Sequence, residues 1–244
     1  MNYNSILIVS GEPNSIFLEL YFKVLKLKKI KFPLILICSE KLLKLQMKKL
    51  KFKMNIRTLE SSKLDIYNLN NKSINLINVE YDPKNAFEKI TNKSNLYIEK
   101  SFQKAFKILK KGKIKKFING PISKKTFLSN KYLGVTEYIS KAFSIKNNCM
   151  LIYNKELSVS PITTHLPIKL VSKQINKKNI ISKIFLINNF YIKKFGLKPR
   201  IALLGLNPHC ESIHKFNEDE KIIKPTVKYL KKKIKISGPY PADT

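Results

Sequence analysis

Histidine is scarce among the side chains that can do chemistry, with three copies in 244 residues. His165 and His209 each follow an apolar run and lie beside a proline, in Thr163-Thr164-His165-Leu166-Pro167 and Gly205-Leu206-Asn207-Pro208-His209. Neutral imidazoles delivered to one edge of a parallel sheet could share a divalent cation. The same pair could equally be hydrogen-bonded in ordinary loops, because their separation matches no compact ligand motif. His214, beside Lys215 and Asn217, reads as a solvated side chain, and Cys210 as a small apolar group. Asp243, in Pro241-Ala242-Asp243-Thr244, is a loop carboxylate suited to act as a base or as a helix cap, and local sequence does not separate the two. Gly120-Pro121-Ile122-Ser123-Lys124-Lys125 offers a helix N-terminus with a hydroxyl and two lysines. That suits an anionic group, or is a plain capped helix in a lysine-rich chain.

The elements that must position these residues alternate. Ile6-Leu7-Ile8-Val9 reads as a strand, followed by a helix to about Lys29, a strand Leu34-Ile35-Leu36-Ile37, and a helix from Ser39 to about Lys51. A weaker strand covers Ile74 to Val79. From Asn95 to Lys111, Ile98, Phe102, Ala105, Phe106 and Leu109 recur at helical spacing, and Gly112 stops the pattern. Phe117-Ile118 then runs into the Asn119-Gly120-Pro121 loop. Met150 to Tyr153 and Leu157 to Ile162 read as a hairpin around Asn154-Lys155-Glu156, the second arm delivering His165. A helix from about Lys178 to Phe195 stops at Gly196, and the strand Ile201-Ala202-Leu203-Leu204 delivers His209. Glu218 to Lys233 reads as the last helix. This alternation predicts an α/β fold: a mixed, largely parallel sheet with helices on both faces. No repeat and no Gly/Ser-rich linker marks a domain boundary within residues 1–244.

Composition removes several classes of function. The chain carries 48 Lys+Arg against 16 Asp+Glu, a formal charge of +32. Only Arg57 and Arg200 are arginines, and the lysines are spread along the whole length. A reader of nucleic-acid sequence would favour arginine and concentrate its charge on one face, so no specific nucleic-acid partner is expected. The seven glycines are never closer than eight positions apart, which excludes both the dinucleotide fingerprint and the Walker phosphate loop. Cysteines 38, 149 and 210 form neither a disulfide framework nor a zinc knuckle. No signal peptide and no apolar run of membrane-spanning length is visible, so a cytoplasmic protein with no membrane partner is expected.

Six blocks in order, Gly11-Glu12-Pro13, Asn119-Gly120-Pro121-Ile122-Ser123-Lys124, Thr136-Glu137, Thr163 to Pro167, Gly205 to His209 and Gly238 to Thr244, resemble the 4-hydroxythreonine-4-phosphate dehydrogenase (PdxA) family. The resemblance covers essentially the whole chain. It implies an isocitrate/isopropylmalate dehydrogenase-like fold with two subdomains and an NAD-dependent oxidoreductase of vitamin B6 biosynthesis, with NADP a possible substitute. It further implies a divalent metal (zinc, magnesium or cobalt) held by His165, His209 and a third histidine beyond Thr244. Thr136 would contact a phosphorylated hydroxy amino acid, and Asp243 is the candidate for the catalytic site. The residues that bind NAD and phosphate are expected mostly beyond Thr244 as well, and a homodimer with its active site at the interface is implied. The sequence departs from the family at Val135, where a substrate-contacting histidine is usual, and at Cys210-Glu211-Ser212-Ile213, which replaces a glycine-rich stretch.

Two further readings stay beside this one: a related dehydrogenase of threonate or erythronate 4-phosphate, and a non-catalytic fragment that binds metal weakly or pairs with another subunit. A third class, a polyanion-binding module, is separable by salt. Charge alone attracts nucleic acid at low ionic strength with a steep salt dependence. Binding to duplex DNA, followed by fluorescence anisotropy, is expected to vanish by physiological salt, and retention there would restore the polyanion-binding class.

Overall fold

The structure, a computed structural model, describes residues 4–27, 30–128, 131–210 and 213–242. They divide into two compact units, Met1–Phe143 and Ser144–Thr244. Among the described residues no helix is long and apolar enough to cross a membrane.

The first unit is built on five parallel strands: β1 (Ile6–Val9), β2 (Leu34–Cys38), β3 (Ile56–Thr58), β4 (Ile74–Asn78) and β5 (Lys116–Asn119), in the order β3-β4-β2-β1-β5. All five residues of β2 are buried, which is why it is an unbroken apolar run rather than an alternating one. Its two faces feed two cores. Leu7, Val9, Ile35, Ile37 and Ile77 pack on α3 (Asn95–Lys110) through Tyr97, Ile98, Phe102 and Ala105. Ile8, Leu34, Leu36, Cys38 and Leu76 pack on α1 (Phe17–Lys26) and α2 (Glu40–Lys49) through Leu18, Phe22, Leu42, Leu43 and Met47. Ser39 caps α2 by accepting from the Leu42 N–H at 3.3 Å, as the residue type favours. Gly112 ends α3 with φ +75°, accessible to glycine without a Cβ penalty. Helices therefore cover both faces, as the alternation predicts.

The first unit also holds two elements absent from the sequence expectation, the short edge strand β3 and the helix α4 (Val135–Ala142). Ser123 does act as a cap, accepting from the Thr126 N–H at 3.3 Å, but the element it caps is a short π-helical turn, Lys124–Leu128. The predicted extension of α1 to Lys29 lies outside the described residues.

In the second unit α5 (Ile168–Gln174), also unexpected, leads into α6 (Lys177–Phe195), capped by Asn176 and ended by Gly196 at φ +67°. The predicted strand β6 (Ile201–Leu204) pairs in parallel with β7 (Ile236–Tyr240), a strand not anticipated because it contains Gly238 and Pro239. Between them the expected long helix is a π-helical turn, Asp219–Ile223, followed by α7 (Lys224–Lys231), whose first turn carries Pro225. Ile180, Ile184, Ile223, Val227, Leu230 and Ile236 form the core. The expected hairpin is reduced to one antiparallel bridge, Ile152 to Val159, with both residues more than half exposed.

A buried polar knot ties the carboxyl ends of β1 and β2 to α3. The Tyr97 hydroxyl shares a hydrogen bond with Ser10 Oγ at 2.9 Å, accepts from the Ser39 N–H at 3.2 Å and donates to Cys38 Sγ at 3.5 Å. Burial pushes the Tyr97 phenol well above its usual pKa, and the neighbouring Cys38 adds to the shift; burial likewise raises the Cys38 thiol. Tyr97→Phe strands the Ser39 N–H and the Ser10 hydroxyl in a region sealed from water. It is expected to lower the unfolding free energy by about 1–3 kcal/mol, read from the urea midpoint, and an unchanged midpoint would contradict this role.

Candidate active site

Parallel α/β sheets bind ligands outside the carboxyl ends of their strands, and in the first unit those ends are held at close quarters. Glu12 N–H donates to the Pro121 carbonyl at 2.8 Å and Gly120 N–H to the Val9 carbonyl at 2.7 Å. A Cβ on Gly120 would run into the Ser10 carbonyl, and one on Gly11, at φ +73°, into the Pro121 carbonyl. The two loops therefore pass backbone against backbone, which only glycine permits here. Glu12 is buried beneath them, accepting from the Asn14 N–H at 3.2 Å and the Ser94 hydroxyl at 3.1 Å. An open groove of about 710 Å³ lies beside the ends of β2 and β4, lined by Ser39, Lys41, Lys44, Asn78, Tyr81 and Asp82 among others. Its two lysines are engaged, Lys41 with Asp82 and Lys44 with Glu40.

Thr136 stands in the first turn of α4, half-buried, after the N-cap Gly134. Val135 packs against the core under α3, so the side chain that replaces the expected histidine is used for packing. Tyr138 anchors the same helix against Phe102 and Phe127, and burial together with the Glu99 charge has its phenol pushed up to about 12. Glu137 Oε2 is enclosed without a hydrogen-bond partner among the described residues. An unsatisfied acceptor beside Thr136 is a position where a polar ligand would be stabilised.

His165 and His209 both belong to the second unit. His165 follows the bridged segment in the loop before α5, exposed, with φ +57°. Histidine visits this left-handed region more readily than most residues, yet the conformation carries strain of the kind that gathers at ligand sites. His209 is exposed at the end of the loop after β6, where its N–H donates to Asn207 Oδ1 at 3.0 Å. Cys210 follows at φ +59° and is half-buried, its sulfur so close that a Cβ on Gly205 would lie 2.5 Å from it. Among the described residues no group of three or more His, Cys, Asp or Glu side chains could hold a metal ion. Two exposed imidazoles, one in the loop before α5 and one in the loop after β6, fit part of a metal's shell, and nitrogen donors suit zinc or cobalt better than magnesium. His214 is exposed, as its surroundings suggest. Asp243 lies outside the described residues, but its block does not: the Ala242 N–H donates to the Pro208 carbonyl at 3.0 Å, joining the Gly238 block to the His209 loop.

Asp219 was not singled out by sequence reasoning. It is 2% exposed, and its carboxylate accepts from the Leu206 N–H at 2.7 Å and the Asn207 N–H at 3.0 Å. Its sequence context is a polar stretch in which nothing distinguishes it from Glu218 or Glu220.

The family model described as "Pyridoxal phosphate biosynthetic protein PdxA" matches residues 30–244. A 4-hydroxythreonine-4-phosphate dehydrogenase of Sulfurihydrogenibium sp. (strain YO3AOP1) is 35% identical over 243 residues, covering 97% of this chain and 74% of that protein. Its counterpart in Aquifex aeolicus (strain VF5) is 30% identical over 246 residues, with 97% and 73% covered. The chain thus spans about three-quarters of the length of these relatives. Crystal structures of 4-hydroxythreonine-4-phosphate dehydrogenases share its fold: that from Burkholderia phymatum with a TM-score of 0.80 at 23% identity, over 98% of this chain and 74% of that one. That from Klebsiella pneumoniae gives 0.83 at 22%, over 99% and 76%. With the family model spanning most of the chain, and the chain itself aligned over 97% of its length to two relatives at 30% identity or more, this chain belongs to the PdxA family of pyridoxal phosphate biosynthesis.

Proposed function

We propose that this protein oxidises 4-phosphooxy-L-threonine with NAD to 2-amino-3-oxo-4-phosphooxybutanoate, which loses carbon dioxide to give 3-amino-2-oxopropyl phosphate. The observation that carries the reading is the presence within one unit of His165, in the loop before α5, and His209, in the loop after β6, in a chain that belongs to this family. In this reading both imidazoles would hold a divalent cation, zinc or cobalt by donor preference. When bound, the metal polarises the substrate hydroxyl and lowers its pKa. The chain's own residues do the positioning: Thr136 offers a hydroxyl to the substrate from the first turn of α4, and the Glu137 carboxylate has an acceptor free beside it. Asp243 is the proposed proton acceptor, on a block tied to the His209 loop through Ala242. NAD binds without a glycine fingerprint, and the working form is a homodimer in the cytoplasm.

One observation favours a second reading. Val135 neither donates a hydrogen bond nor titrates, so the contact a histidine would make to an amino substrate is missing, and threonate or erythronate 4-phosphate becomes the competing substrate.

The test is NADH formation by the protein from its native gene, with and without chelator, on the amino and the hydroxy acid phosphates. Chelator-sensitive turnover with a higher kcat/KM on 4-phosphooxy-L-threonine is expected. Equal or better turnover of the hydroxy acid would transfer the assignment to the second reading, and turnover unaffected by His165→Ala or His209→Ala would remove both histidines from the site.

Restoring the imidazole is a separate check. Val135→His is expected to raise kcat/KM on the amino substrate about 10-fold or more, the worth of one hydrogen bond to a charged group. Thermal stability should fall slightly, since Val135 leaves an apolar contact. No gain on the amino substrate would mean that a neighbour already makes the contact.

A further inference from the structure

The loop that ends in His209, Gly205 to His209, contains a glycine and a proline and continues beyond the end of the β6 ladder. Four of its hydrogen bonds tie it to the rest of the unit. The Gly205 N–H donates to the Tyr240 carbonyl at 2.9 Å and the Ala242 N–H to the Pro208 carbonyl at 3.0 Å, which tie the loop to the end of β7. The remaining two, from the Leu206 and Asn207 N–H groups, both end on Asp219, one on each carboxylate oxygen, at 2.7 and 3.0 Å. Asn207 in turn receives the His209 N–H on its side-chain oxygen and the Cys210 N–H on its carbonyl, each at 3.0 Å. The chain of contacts runs from Asp219 through Asn207 to the backbone of His209.

We infer that Asp219 is a positioning residue whose carboxylate holds the Leu206-Asn207 amides and thereby sets the placement of the His209 imidazole. Three features favour this over a generic buried acid. Asp219 is 2% exposed in a chain with three times as many basic as acidic residues, yet the partners at its two oxygens are amides of this loop rather than a lysine. Its Oδ1 lies 2.9 Å from where a Cβ on Gly205 would stand, so the glycine and the carboxylate fit each other. It opens the π-helical turn Asp219–Ile223, whose Ile223 is locked into the core with Val227 and Leu230, so the carboxylate stands on a rigid base. Outer-shell groups of this kind orient a ligand without touching the metal.

The part of the inference that concerns metal rests on the proposed function; the holding of the loop does not, and the two are read separately. In Asp219→Asn the side chain keeps its shape, but one of its ends now presents N–H to N–H. Amide exchange at Leu206 and Asn207 is expected to speed up by 10-fold or more while α7 is unchanged. Affinity for Co²⁺, followed by its visible absorption, is expected to fall about 10–100-fold, the range seen when outer-shell partners are lost. Val227→Ala, a packing lesion in the same core, should lower the melting temperature and change neither readout. Unchanged exchange at the two amides in folded Asp219→Asn, or a Co²⁺ affinity no weaker than in Val227→Ala, would overturn the inference. If His209→Ala binds Co²⁺ as the native protein does, the metal reading falls, and the amide exchange alone decides whether Asp219 holds the loop. In the native protein those amides should be as protected as those of β6; lack of protection overturns the inference even if the variant does not fold.

Discussion

Everything in the first unit depends on the fact that parallel strands must be covered on both faces. A parallel pair is joined by a crossover, so each connection lays a helix on one face of the sheet. β2 meets this demand in full, with Ile35 and Ile37 inaccessible on one face and Leu36 and Cys38 on the other. Two consequences reach the site. The sheet becomes rigid and dry enough that its strand ends are fixed points, and all its strands point the same way, so every loop leaving a carboxyl end emerges along one edge. Chemistry in such a fold is a matter of what those loops carry.

The loops then meet a second constraint. Their amides leave the ladder at the place where the core is still dry, and an unpaired amide there costs about as much as a lost buried hydrogen bond. Each unit answers with a buried carboxylate. Glu12 accepts from the Asn14 N–H and the Ser94 hydroxyl in the first, Asp219 from two loop amides in the second. Glycines let the backbones approach closely enough for this to work, at Gly11 against Pro121 and at Gly205 against Asp219. The glycine arithmetic acquires a physical sense here: most of the few glycines stand at a close approach, as Gly11, Gly120, Gly205 and Gly238 do, or end a helix, as Gly112 and Gly196 do.

How much of this was legible in the sequence depended on whether the cause was local. β1, β2, β6, α3 and α6 have local causes: β-branched runs, helical spacing, a terminating glycine and, for α6, the Asn176 cap. They were read within a residue or two of their bounds. β3 has three residues with Arg57 at its centre and exists because β4 offers an edge. β7 contains Gly238 and Pro239, which argue against a strand; it forms by pairing with β6 where Gly238 permits close approach to Leu203. The short helices α4 and α5 have too few turns for periodicity to register. Of the candidate site, His165, His209 and Thr136 could be proposed because residue type and a family-like motif carry them. Asp219 could not, because its meaning lies in two amides ten or more positions upstream that only folding brings to it.

The surplus of lysine needs a different account, because it is not part of the fold's logic. Several ion pairs among the described residues join a lysine to an acid three or four positions away on the surface, as Lys23 with Glu19, Lys63 with Glu60 and Lys224 with Glu220. Such pairs contribute a few tenths of a kcal/mol each and are screened by salt. The remaining lysines repel one another, a modest penalty that distance and ionic strength soften. Their collective field attracts every anion, a phosphorylated substrate and a dinucleotide among them, and so raises encounter rates without telling one anion from another. Selectivity therefore has to come from short-range contacts at the strand ends. Val135, an apolar side chain packed against the core, adds no hydrogen bond to that discrimination.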